Sequence, residues 1–251
     1  MKQIFSRFAM LVGEEGIEKL NKSSVIVFGI GGVGSYVVES LVRSGIGKIT
    51  MVDFDEISES NINRQIHALK NTVGKSKIEV MKERILDINP ECEVVLKKKL
   101  VFENVSEIFE EDGKKYDFAV DAIDVIYSKI TIIEYCMKNN IKIISSMGFG
   151  NKMHPEKIEL STIEKTSVCP MARTVRRILK KKGIKGLVVA YSQENNIKPD
   201  KSDLYASEEP TEFRENNEMP NKITPGSNAF VPGTAGLVIS AYVIRKLLGM
   251  E

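Results

Sequence analysis

Cysteine is scarce in this chain of 251 residues. Cys92, Cys136 and Cys169 lie far apart, are odd in number and form no C-x-x-C pair. A disulfide framework and a cysteine-built zinc site are therefore excluded, and free thiols in a reducing cytoplasm are expected. A charge excess is missing as well. Thirty-six Lys and Arg against 34 Asp and Glu leave a net charge of +2, so any basic partner surface must be local. Long apolar runs are absent too. Arg7, Glu14 and Glu15 interrupt the N-terminal stretch, which argues against a signal peptide. Ala229 to Ile244 is uncharged but holds Pro232, Gly233 and Gly236, and it is short of the roughly 20 residues a bilayer span needs. A buried helix is expected there, and membrane association is not. No internal repeat is visible.

What is present is an ordinary globular composition, with 42% hydrophobic and 28% charged residues, enough for a single domain over 1–251. Ser24-Val-Ile-Val-Phe-Gly29 reads as a buried strand, and Val33 to Ser44 as the helix that follows. Lys48 to Asp53 is a second strand ending in an acid. Gly74 to Asn89 carries Ile78, Met81, Ile85 and Ile88 on one helical face and stops at Pro90. Glu93–Leu96, Tyr116–Val120 and Ile141–Ser145 read as strands, with a helix over Ile126–Lys138. Alternating strands and helices on short connections predict an α/β fold: a Rossmann-like, mostly parallel sheet with helices on both faces. Beyond Gly150 the pattern predicts an extra strand at Lys157–Thr162, a helix at Pro170–Lys182, a strand at Leu187–Ser192, a polar loop over Gln193–Gly226 and an apolar helix over Val231–Leu248. Residues 1–150 thus form the expected nucleotide-binding core, and 151–251 an extension for substrate and dimer contacts.

The chemistry gathers at predicted strand ends, where ligands bind in such sheets. Gly29-Ile-Gly31-Gly32-Val-Gly34 joins a strand to a helix, so backbone N–H groups and the helix start can face phosphate. Asp53 follows about 20 residues on, placed to accept ribose hydroxyls. NAD, FAD and ATP sites all share this much. Asp53-Phe-Asp55, Asn61-Ile-Asn-Arg64-Gln65 and Gly74-Lys-Ser-Lys77 add a guanidinium fork and an ammonium beyond the ribose acid. A hydride carrier does not need them, whereas charge developing on a triphosphate does. Asp121-Ala-Ile-Asp124 ends a strand at the same crevice. Either acid suits Mg2+ beside a triphosphate, or only caps the next helix, and Lys77 can equally be a solvated helix start.

Together these motifs resemble the ThiF-type, ubiquitin-activating-enzyme-like adenylating proteins, which include the molybdopterin and thiamine sulfur-carrier activators. The resemblance implies ATP held by the glycine turn, with Asp53 on ribose. Asn61, Arg64 and Lys77 would contact the phosphates, and Asp124 would ligate magnesium. Phe5-Ser-Arg7 resembles the family's N-terminal arginine motif, whose arginine serves the other subunit, which implies a homodimer. Arg64-Gln-Ile-His67-Ala-Leu, Ile88-Asn-Pro90, Gly148-x-Gly150 with Pro155, and Pro170 with Arg176 are similar to the branch that dehydrates threonylcarbamoyladenosine in transfer RNA. That branch uses ATP to activate a threonine carboxylate, which then closes into a ring. Missing zinc cysteines separate the chain from many sulfur-carrier activators. A sulfur-transfer or redox protein is a further possible partner. Cys169 allows a thioester reading, although ring closure needs no enzyme thiol.

From Lys165 to Lys185 there are eight basic residues and no acid. Arg173, Arg176, Arg177 and Lys180 recur at helical spacing, as an RNA-phosphate face or as a solvated one. Three rivals stay open: adenylation of a ubiquitin-like sulfur carrier, a dehydrogenase, and a non-catalytic nucleotide-binding scaffold.

Overall fold

The computed structural model describes residues 3–111, 113, 115–198 and 225–250. Its frame is one seven-stranded sheet: β1 (Ser24–Phe28), β2 (Lys48–Val52), β3 (Glu93–Lys97), β4 (Phe118–Asp121), β5 (Ile143–Ser146), β6 (Ile158–Thr162) and β7 (Val188–Ser192). The strand order is β3-β2-β1-β4-β5-β7-β6. Six strands run parallel and only the edge strand β6 is antiparallel, to β7. Strands from both halves of the sequence therefore share one sheet.

Among the described residues seven α-helices flank it: α1 (Ser6–Asn21), α2 (Gly34–Arg43), α3 (Lys77–Ile88), α4 (Val105–Glu110), α5 (Ile126–Lys138), α6 (Pro170–Lys181) and α7 (Phe230–Leu248). The two-residue period of the strands splits their side chains between two cores. Val25, Val27, Ile49, Met51, Phe118, Val120 and Ile144 meet α1, α2, α3 and α7. Ile26, Phe28, Val52, Ala119, Ile143 and Val189 meet α4, α5 and α6. Both faces being covered explains why β1 and β2 are buried at every position and read as continuous apolar runs.

The apolar C-terminal helix α7 has the length and composition of a membrane span, but it packs against α2, α1 and the sheet. Two helices, α1 and α4, go beyond the sequence reading. The first holds a non-helical Gly13 that breaks its pattern, and the second is only six residues long. The expected helix start at Gly74 moves to Lys77. Gly74–Ser76 instead clip onto 56–57, with Gly74 N–H donating to Ile57 O at 2.8 Å and Ile57 N–H to Lys75 O at 2.9 Å. Of the polar loop expected over Gln193–Gly226, residues 199–224 lie outside the described residues.

Strand order reverses between β1 and β4, whose connections leave in opposite directions. This switch point opens a crevice at the carboxyl edge, the place where ligands bind in doubly wound sheets.

Candidate active site

The glycine turn crosses this switch point. Gly29 has φ +82°, and a Cβ there would lie 2.9 Å from Ala122 O, at the end of β4; one on Gly34 would lie 1.8 Å from Gly29 O. Both positions admit only glycine, because the turn is wedged against the β4–α5 connection. Gly31 and Gly32 face the other way. A Cβ on Gly31 would meet nothing nearer than Gln65 Nε2 at 3.9 Å, and one on Gly32 would meet Pro232 at 3.3 Å and Arg64 Cγ at 3.5 Å. The turn, the 61–65 segment and the start of α7 thus converge around an open cradle of backbone.

Asp53 braces the turn. Its Oδ2 accepts the Ile30 N–H at 2.6 Å and its Oδ1 the Asp55 N–H at 2.9 Å. Burial holds its carboxyl above the usual range, against the Lys77 charge and the two backbone bonds. Each oxygen keeps a lone pair for a further donor. Asp55 pairs with Lys77 at 2.6 Å, and the Lys77 N–H donates to Asp55 O at 3.1 Å. The first turn of α3 is therefore tied to the end of β2, and a buried ammonium sits at the crevice.

Arg64 is half-buried, its Nη1 donating to Ser60 O at 2.6 Å and to Asn63 Oδ1 at 2.9 Å. Asn61 is buried and its Oδ1 accepts the Ser58 N–H at 3.2 Å, so its side chain shapes the turn that presents Arg64. Gln65 is buried beside the glycine turn, with Oε1 unpartnered. His67 is also buried, and neither ring nitrogen has a partner. Burial first, then Lys77 and Arg84, push its pKa down to about 4.

The two acids after β4 part company. Asp124 is exposed in the connection to α5, where a metal–phosphate complex can reach it. Asp121 does not face the crevice as its strand-end position suggests. Asp121 and Lys129 are both fully buried and pair at 2.6 Å. Lys129 also donates to Ser146 O at 2.8 Å, Ser145 Oγ donates to the same Asp121 oxygen, and Asp121 Oδ1 accepts the Ile123 N–H at 3.1 Å. The sequence gives little sign of this network, since Lys129 looks like one more charge on an amphipathic helix. Among the described residues no cluster of three or more His, Cys, Asp or Glu could hold a metal. A magnesium ion at Asp124 would therefore take its other ligands from phosphate and water, as Mg2+ commonly does.

Arg7 is exposed on α1. On α6, Arg173, Arg177 and Lys180 are exposed, but Arg176 is only partly so and donates to Thr166 O at 2.7 Å and to Thr166 Oγ1 at 2.6 Å. The expected four-residue face thus loses Arg176 to a structural tie. Cys169 is a buried thiol at the start of α6, unsuited to a thioester that must exchange with a bulky substrate.

Known proteins share this fold. Residues 5–251 match the ThiF family. The chain is 43% identical to a tRNA threonylcarbamoyladenosine dehydratase of Bacillus subtilis, over 97% of this chain and 94% of that protein. The crystal structure of Escherichia coli tRNA N6-threonylcarbamoyladenosine dehydratase in complex with AMP superimposes with a TM-score of 0.85 at 34% identity, covering 98% of this chain and 94% of that one. The complex of the same enzyme with ATP gives 0.83 at 32% identity, with the same coverage. The chain therefore belongs to the ThiF family.

Proposed function

We propose that this chain is an ATP-dependent dehydratase that closes threonylcarbamoyladenosine in transfer RNA into its cyclic form. The carrying observation is that Arg64 and Gln65 border the open side of Gly31 and Gly32, with Lys77 and Asp55 paired beside Asp53. This arrangement serves a triphosphate that is cleaved. The near full-length likeness to dehydratases supports the substrate. Residues 1–150 are read as the nucleotide half and 151–251 as the half that meets the RNA and a second copy of the chain, in a cytoplasmic homodimer.

In this reading a threonine carboxylate oxygen attacks the α-phosphorus of ATP, the bond to the β-phosphate oxygen breaks, and pyrophosphate leaves. A nitrogen of the same nucleoside then attacks the activated carbonyl, loses its proton and releases AMP. The nucleoside has lost one water. Asp53 accepts the ribose hydroxyls, and the backbone of Gly31 and Gly32 lies along the phosphates. Arg64 and Lys77 take up charge developing on the phosphates, and Lys77 exchanges Asp55 for phosphate oxygen as it does so. Arg7 does the same in the site of a second copy. Asp124 would hold Mg2+, which when bound would neutralise phosphate charge. No side chain acts as nucleophile, so positioning and electrostatics carry the rate. Arg173, Arg177 and Lys180 face RNA phosphates.

Incubation with ATP, magnesium and modified transfer RNA, followed by nucleoside mass spectrometry, tests this. Loss of one water from threonylcarbamoyladenosine is expected. An unchanged mass with folded protein would overturn it.

A further inference from the structure

At the amino edge of the sheet, opposite the nucleotide crevice, lies a cleft of about 1040 Å³. Three of the connections that enter strands there each bring a lysine: Lys22 before β1, Lys115 before β4 and Lys142 before β5. Lys19 and Lys246 join them from the last turns of α1 and α7. All five are exposed, and none forms an ion pair with a described residue. Among the described residues only two acids line the cleft, and both are engaged by neutral donors. Glu110 accepts the Tyr135 hydroxyl at 3.0 Å, and Asp117 accepts the Ser24 N–H at 2.8 Å. Lysines at helix ends complement the helix dipole, which accounts for Lys19 and Lys246. That argument does not reach Lys115 or Lys142, which stand outside helices.

We infer that this lysine-rimmed cleft is a second phosphate-binding surface, docking the backbone of the RNA substrate away from the reacting nucleoside. The inference rests on the RNA substrate proposed above. A near-neutral chain that, among its described residues, gathers five lysines against two acids at one edge accepts their mutual repulsion, which a polyanion relieves. The charges are exposed and spread over four segments of the chain. That suits a run of backbone phosphates rather than one small anion, which calls for buried converging donors. Strands of about five residues separate the two edges by roughly 17–20 Å, a span well within the reach of an RNA stem.

The test uses the full chain with Lys22→Gln, Lys142→Gln and Lys246→Gln combined. Fluorescence anisotropy of an unmodified transfer RNA transcript is read from 50 to 200 mM salt, and thermal melting checks the fold. Affinity is expected to fall about tenfold or more, and the slope of log affinity on log salt to become shallower by about 2 to 3. Unchanged affinity and slope would overturn the inference, as would wild-type protein that binds no RNA. Loss of inorganic phosphate binding with RNA binding intact would assign the cleft to small anions and overturn it too. A parallel dehydration assay on wild-type protein reports separately on the proposed reaction. RNA binding through the cleft without dehydration would remove that reaction and leave the surface standing.

Discussion

At the scale of single residues, the site depends on side chains whose partners are already chosen. Lys77 is held by Asp55 and Asp124 is left exposed. Lys77→Ala is expected to lower kcat for dehydration by about 100-fold or more, the usual cost of losing one charge-stabilising donor. Nucleoside formation measured under saturating ATP checks it. His67 has a different consequence. Its folded pKa of about 4 lies below the ordinary imidazole value of 6.5, so the unfolded chain takes up the proton first. Its contribution is fully present above pH 6.5 and is lost as pH falls from there toward 4, by about 3 kcal/mol in all. Urea unfolding of His67→Gln from pH 7 to pH 4 should show a flatter acid limb than wild type, and parallel limbs would refute the assignment. The residue types at the nucleotide turn were legible because glycines, an acid and an arginine–lysine pair come in a fixed order. Asp121 was not, because a strand-end acid reads the same whether it turns outward or inward.

Elements show where local signals suffice. Strands β1, β2 and β4 and helices α5 and α6 follow directly from apolar runs and periodicity. Helix α1 escaped because Gly13 interrupts its register, and α4 because six residues carry too little pattern. The join of β4, α5 and β5 rests on the Asp121–Lys129 pair with Ser145 and Ser146 O. Removing one partner leaves a buried charge alone, so Lys129→Met is expected to cost about 3–5 kcal/mol in chemical denaturation. The double variant Asp121→Asn with Lys129→Met should cost less than Lys129→Met alone. A double variant at least as unstable would show that the pair does not act as a unit.

Across the whole molecule, the two halves of the chain meet at α2 and α7. A Cβ on Gly236 would lie 2.6 Å from Val33 O and 2.7 Å from Tyr36 Cβ, and Pro232 lies against Gly32. The C-terminal helix is thus seated on the helix that starts at the phosphate turn. Gly236→Val is expected to destabilise the fold by about 1–3 kcal/mol through overpacking. Because α2 would shift, ATP affinity should fall as well. Calorimetric melting and ATP titration check the two effects, and a lowered melting temperature with unchanged ATP affinity would uncouple α7 from the nucleotide turn.

Apart from α1 and α4, the order of strands and helices, together with the glycine turn and the family, was determined by the sequence alone. Those signals are local: hydrophobic period, turn chemistry and motif spacing lie within a few residues of one another. The strand order with its switch point, the reversal of β6, the inward turn of Asp121, the tie that takes Arg176 from the basic face, and the gathering of five lysines at the amino edge were decided only by tertiary structure. Each of these depends on contacts between segments distant in the chain, where burial and pairing, and not residue type, set what a side chain faces.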